Sequence, residues 1–91
     1  MNYEITHNKD THRFETIVEG CIGYVEYHPY QGTIDIVHTI VPAKIEGRGV
    51  AAALVKAVYE YARENDLKVI PSCSYAMIWS KRHPEYNETT V

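Results

Sequence analysis

Residues 33–64 read TIDIVHTIVPAKIEGRGVAAALVKAVYEYARE, and a change of rhythm inside this stretch decides the fold. Thr33 to Val41 is rich in β-branched residues and reads as a strand. Pro42 ends it, because proline has no N–H to give to a ladder. From Val50 to Glu64 the period becomes helical. Val50, Leu54, Val55, Val58, Tyr61 and Ala62 recur at three- and four-residue spacing, while Lys56, Glu60 and Arg63 fall on the solvent side. Between the two elements stands Glu46-Gly47-Arg48-Gly49-Val50-Ala51. Glycines at such a junction let a ligand approach the backbone. The first turn of the helix leaves N–H groups unpaired at the positive end of its dipole. That arrangement suits phosphate, so the junction points to a phosphate-bearing cofactor.

Upstream, Tyr3 to Thr6 reads as a short edge strand and Phe14 to Val18 as a second. Glu19-Gly20 marks a tight turn into Cys21 to Tyr27. His28-Pro29-Tyr30-Gln31-Gly32 reads as another turn, leading into Thr33. Downstream of the helix, Asn65-Asp66 forms a stop and Leu67 to Ile70 a brief buried strand, closed by Pro71. A helical crossover joins this strand to Thr33–Val41, so the two are expected to run parallel. Ser74 is placed to cap a second, shorter helix over Tyr75–Lys81, which His83-Pro84 ends, and the tail NETTV is expected to fray. The expected class is α/β (α+β): a mixed, mostly antiparallel sheet with one β-α-β crossover, one long helix and one short helix. No linker, repeat or charge block divides the chain, and 1–91 is expected to form one domain.

Composition excludes several function classes. A net charge of −3 and scattered Lys and Arg give no basic face, so nucleic-acid binding is not expected despite eight tyrosines. No apolar run is long enough to span a membrane, and MNYEITHNKD has no secretory pattern. Cys21 and Cys73 make no disulfide framework, which suits a reduced, cytoplasmic chain. The five histidines have no metal-ligand spacing with Cys73, and no metal is expected. A monomer is the default.

The string HTIVPAKIEGRGVAAALVKAVYEYAREN, followed by LKVIPSCSYAMIW and HPEY, resembles a compact branch of the GCN5-related N-acetyltransferase (GNAT) superfamily. The resemblance covers about His38 to Tyr86. It implies a cleft for acetyl-CoA between two splayed parallel strands. The superfamily's diphosphate loop reads Gln/Arg-x-x-Gly-x-Gly/Ala; here Glu46, Gly49 and Ala51 stand at its first, fourth and sixth positions. An acidic Glu46 departs from that pattern, and Arg48 is the alternative source of positive charge. Many GNAT enzymes use a tyrosine on the last helix as the acid. In the small branch that position falls near Trp79, whose indole cannot serve, and Tyr75 lies one turn earlier as a substitute.

The resemblance thus implies an acetyl-CoA-dependent N-acetyltransferase acting on an amine acceptor, a small molecule or a protein. The backbone of Thr39, Ile40 and Val41 would hold the pantetheine arm, and Arg48, Gly49, Val50 and Ala51 the diphosphate. Cys73, after the parallel strand and before a helix, is a candidate nucleophile. His38 is a candidate base, although simple alternation sets it on the side of Ile34, Ile36 and Ile40, as a core histidine, unless a bulge intervenes. Two other functions compete: a CoA-binding module with little catalysis, and an interaction domain whose loop binds nothing.

Overall fold

A computed structural model describes residues 3–91. Five strands form one sheet in chain order: β1 (Thr6–Asn8), β2 (Arg13–Val18), β3 (Cys21–Tyr30), β4 (Thr33–Ile40) and β5 (Lys68–Ile70). The first four pair antiparallel and β5 lies parallel to β4. Helix α1 (Val50–Glu64) is the β4-to-β5 crossover, and α2 (Ser74–Arg82) follows β5. This is the mixed sheet with one long and one short helix that the sequence implies.

Two hairpins set the register. Glu19-Gly20 turns β2 into β3 with Val18 opposite Cys21. The next turn holds only Gln31 and Gly32, both at positive φ, so β3 continues through His28-Pro29-Tyr30 and is longer than the sequence suggests. Pro29 is tolerated there for two reasons. Pairs alternate from a two-residue turn, placing Pro29 opposite Ile34 at a non-hydrogen-bonded position. On its other edge β2 has already ended, at Arg13 opposite Glu26.

One face of the sheet carries the core. Phe14, Val25, Tyr27, Ile34 and Ile36 pack against Val50, Leu54, Val55, Val58 and Ala62 of α1. The helix bounds agree with the sequence pattern, but Tyr59 rather than Tyr61 is fully buried. The reason lies in distant segments. Tyr59 meets Trp79 of α2 at 5.1 Å and Tyr86 at 5.4 Å between ring centroids, and its hydroxyl accepts from Thr90 Oγ1 at 3.1 Å. Gly23 lets α1 come close to the sheet: a Cβ there would lie 3.2 Å from Val50 Cγ1.

The tail does not fray. Val69 N donates to Thr89 O at 2.7 Å and Val91 N to Val69 O at 2.9 Å, so the last residues occupy the outer edge of β5. Those backbone groups would otherwise stand unpaired along a buried strand.

Candidate functional site

Strands β4 and β5 pair only over Thr33–Asp35 and Lys68–Ile70. Pro71 then contributes no donor, and the last link is Cys73 N to Ile36 O at 2.9 Å. Beyond it the strands part. At the same level β4 carries a bulge: Tyr27 opposes Ile36 and Glu26 opposes His38, so Val37 is an extra residue. The extra residue reverses the alternation. Ile34 and Ile36 point into the core, whereas Thr39 and Val41 line the cleft beneath α1.

The bulge therefore corrects the expected place of His38. Simple alternation put it with Ile34 and Ile36, but it is exposed on the open face of the sheet, opposite Glu26. Ile40 turns out with it and is 45% exposed. His38 is not among the groups lining the cleft.

The cleft, about 450 Å³, is lined by Thr39, Val41, Glu46, Gly47, Gly49 and Tyr75 together with the first turn of α1. Gly49 is the N-cap of α1 in the left-handed region, at φ 76° and ψ 14°. No side chain caps the helix, and its first internal bond is Ala53 N to Gly49 O at 3.0 Å. The amides of Val50, Ala51 and Ala52 thus have no protein partner among the described residues, and all three residues line the cleft. A Cβ at Gly47 or Gly49 would meet nothing within 4 Å, so the backbone there faces open space. Unpaired amides, a dipole end and open backbone fit a diphosphate.

Arg48 stands apart from this cradle. Its guanidinium pairs with Glu19 in the β2–β3 turn, and its carbonyl accepts from Tyr3 Oη at 2.5 Å. Glu46 does line the cleft, as an exposed side chain.

Behind the cleft lining, Thr39 Oγ1 lies 3.2 Å from Cys73 Sγ, and Cys73 is not itself among the lining residues. Cys73, not Ser74, is the N-cap of α2, its sulfur accepting from Ala76 N at 3.3 Å. Ser74 is instead the first helical residue, and α2 extends to Arg82. Tyr75 borders the cleft and is 38% exposed. Partial burial pushes its pKa up, against an opposing effect of Arg82, so the phenol keeps its proton at neutral pH. Trp79 has left the site. It is buried in the core, stacked on His83 at 3.9 Å.

The structure thus brings together Thr39, Val41, Gly49, Val50, Ala51 and Tyr75 around one cleft, with Cys73 in contact with Thr39. It separates His38 and the Arg48 guanidinium from them. Sequence reasoning passed over Ala52 and the contacts of Tyr3 and Glu19; only Ala52, in the first turn of the helix, carried a local signal.

Residues 13–89 match the family described as GCN5-related N-acetyl-transferase. The chain belongs to the GCN5-related N-acetyltransferases. Protein NATD1 of Xenopus tropicalis is 34% identical over 83 residues, covering 88% of this chain and 76% of that protein. Protein NATD1 of Danio rerio is also 34% identical, over 89 residues, covering 92% and 81%. A GCN5-like protein from Staphylococcus aureus, solved by NMR in solution, superposes with a TM-score of 0.77 at 32% identity, covering 99% of this chain and 89% of that one. Among the described residues, no helix is long and apolar enough to cross a membrane, and no group of three metal-ligating side chains converges.

Proposed function

We propose that this protein transfers an acetyl group from acetyl-CoA to an amine. The observation that carries this reading is the row of unpaired amides at Val50, Ala51 and Ala52, opening onto a cleft beside the Thr39–Cys73 contact. In this reading the amides and the open backbone at Gly47 and Gly49 hold the diphosphate. The edge of β4 at Thr39–Val41, beyond its pairing with β5, is free to hydrogen-bond the pantetheine arm. Bound acetyl-CoA supplies an activated thioester.

In this reading Cys73, in contact with the cleft-lining Thr39, receives the acetyl. Its sulfur gives up its proton to solvent and forms a bond to the acetyl carbon. The donor's carbon–sulfur bond breaks, and Tyr75 supplies a proton to the departing sulfur. The acceptor amine then bonds to the acetyl carbon, and the bond from that carbon to the Cys73 sulfur breaks. The amine's proton passes to that sulfur to restore the thiol, and Tyr75 regains its proton from solvent. The amides at the start of α1 carry no charge to be neutralised and cost no reorganisation when the donor binds.

Intact-mass measurement after mixing with acetyl-CoA tests this. The expected result is one acetyl group on the wild type and none on Cys73→Ser. Turnover retained in Cys73→Ala without an adduct would show direct attack by the amine instead. A second reading, a CoA-binding module with little catalysis, is favoured by one observation: no histidine lines the cleft, since the bulge turns His38 away. Binding of acetyl-CoA without acetylation of any amine supplied would establish that reading.

A further inference from the structure

The loop that opens α1 is held from two directions by residues outside the strand-loop-helix unit. Tyr3, ahead of β1, donates its hydroxyl to the Arg48 carbonyl, a contact across 45 residues of sequence. Glu19, in the turn between β2 and β3, pairs with the Arg48 guanidinium across 29. Both contacts end on one residue.

That residue begins the peptide unit joining Arg48 to Gly49. In a planar trans peptide the C=O and the following N–H point in opposite directions. Gly49 borders two hollows: the cleft with Thr39 and Tyr75, and a second along α1 that Tyr3 lines with Ala53 and Lys56. A carbonyl drawn to Tyr3, which lines the second hollow, turns the Gly49 N–H the opposite way, away from that hollow. Gly49 N has no protein partner among the described residues. Without a Cβ on Gly47 or Gly49, little else restrains the rotation of these peptide planes.

We propose that Tyr3 and Glu19 are positioning residues that lock the Arg48–Gly49 peptide with its N–H aimed at the diphosphate of the acetyl donor. Arg48 serves as a strut rather than as a phosphate ligand. This inference rests on the acetyl-CoA reading of the cleft.

The test uses the full chain with Tyr3→Phe, which removes one oxygen, and Glu19→Ala, which removes the carboxylate that accepts from Arg48 on a different element. Residual dipolar couplings of the ligand-free protein read the direction of the Gly49 N–H vector. Titration with acetyl-CoA reads affinity, and steady-state rates separate KM from kcat. Loss of one hydrogen bond corresponds to roughly a three- to tenfold weakening. The expected result is that weakening in each variant, a matching rise in KM for acetyl-CoA, kcat unchanged, and a reoriented Gly49 N–H. A purely structural role would lower the urea midpoint and leave the N–H vector of the folded fraction alone. The clamp is overturned if both folded variants bind acetyl-CoA as tightly as wild type with the vector unmoved. A wild-type chain that binds no acetyl-CoA overturns the reading of the cleft, and the vector measurement still reports the clamp by itself.

Discussion

Replacing Gly49 with alanine isolates the conformational cost of the loop from every other effect. The residue sits at φ 76° and ψ 14° as the N-cap of α1. An L-residue held in that region costs about 1–2 kcal/mol. The added methyl also narrows the unfolded ensemble, which returns about 0.4–1 kcal/mol. No clash adds to the sum, because nothing lies within 4 Å of the new Cβ. The net destabilisation is therefore about 1 kcal/mol, or a fall of about 4–8 °C in Tm for a domain of this size. Urea unfolding followed by the fluorescence of buried Trp79 measures it. D-alanine at position 49, introduced by chemical synthesis, adopts positive φ without strain and is expected to match or exceed wild-type stability. L-alanine as stable as glycine would refute the left-handed cap. A methyl on the Gly49 Cα crowds the open backbone that the diphosphate is read to approach, so acetyl-CoA affinity is expected to fall in both variants. Unchanged affinity in both would place the diphosphate elsewhere.

Gly23→Ala is expected to destabilise by about 1–3 kcal/mol through overpacking, because its Cβ arrives 3.2 Å from Val50 Cγ1; a more stable variant in urea would contradict the close approach. Cys73→Ala loses the sulfur that accepts from Ala76 N, and is expected to cost about 0.5–2 kcal/mol, while Cys73→Ser keeps a cap; equal stability of the two would deny the cap its role. Burial, with smaller contributions from Lys9 and His12, lowers the pKa of His7 below 6.5. The unfolded chain then binds the extra proton first, so stability is complete above pH 6.5 and declines as pH falls toward the lowered value. His7→Gln is expected to flatten that decline between pH 7.5 and 5, and an unaltered slope would remove His7 as its source. Finally, the Val69 amide is expected to exchange with deuterium as slowly as those of central strands, since Thr89 O accepts from it at 2.7 Å; exchange at the rate of an exposed edge would restore the frayed tail.

Much of the architecture follows from local chemistry. The change from β-branched residues to a three- and four-residue apolar period bounds α1 at Val50 and Glu64, because such a helix must lay one stripe on a core. Glu19-Gly20 sets the first hairpin for an equally local reason. Errors gather where a partner far along the chain supplies what local pattern lacks. His28-Pro29-Tyr30 looks like a turn until the strand on one side is seen to have ended. NETTV looks disordered until β5 is seen to need an edge partner. Periodicity selects Tyr61 for the apolar stripe, and only the packing of Trp79, Tyr86 and Thr90 buries Tyr59 fully instead.

The site divides along the same line. By itself the sequence determined that a glycine loop opens a helix after a strand and that Cys73 precedes a second helix. Those properties depend on neighbours within one helical turn or one hairpin. Tertiary structure alone decided which face His38 takes, because a bulge is created by the opposing strand's register and leaves no mark in the bulged strand's alternation. It alone set Thr39 against Cys73, buried Trp79, and engaged Arg48 with Tyr3 and Glu19, since each of these contacts joins residues that only folding brings within reach.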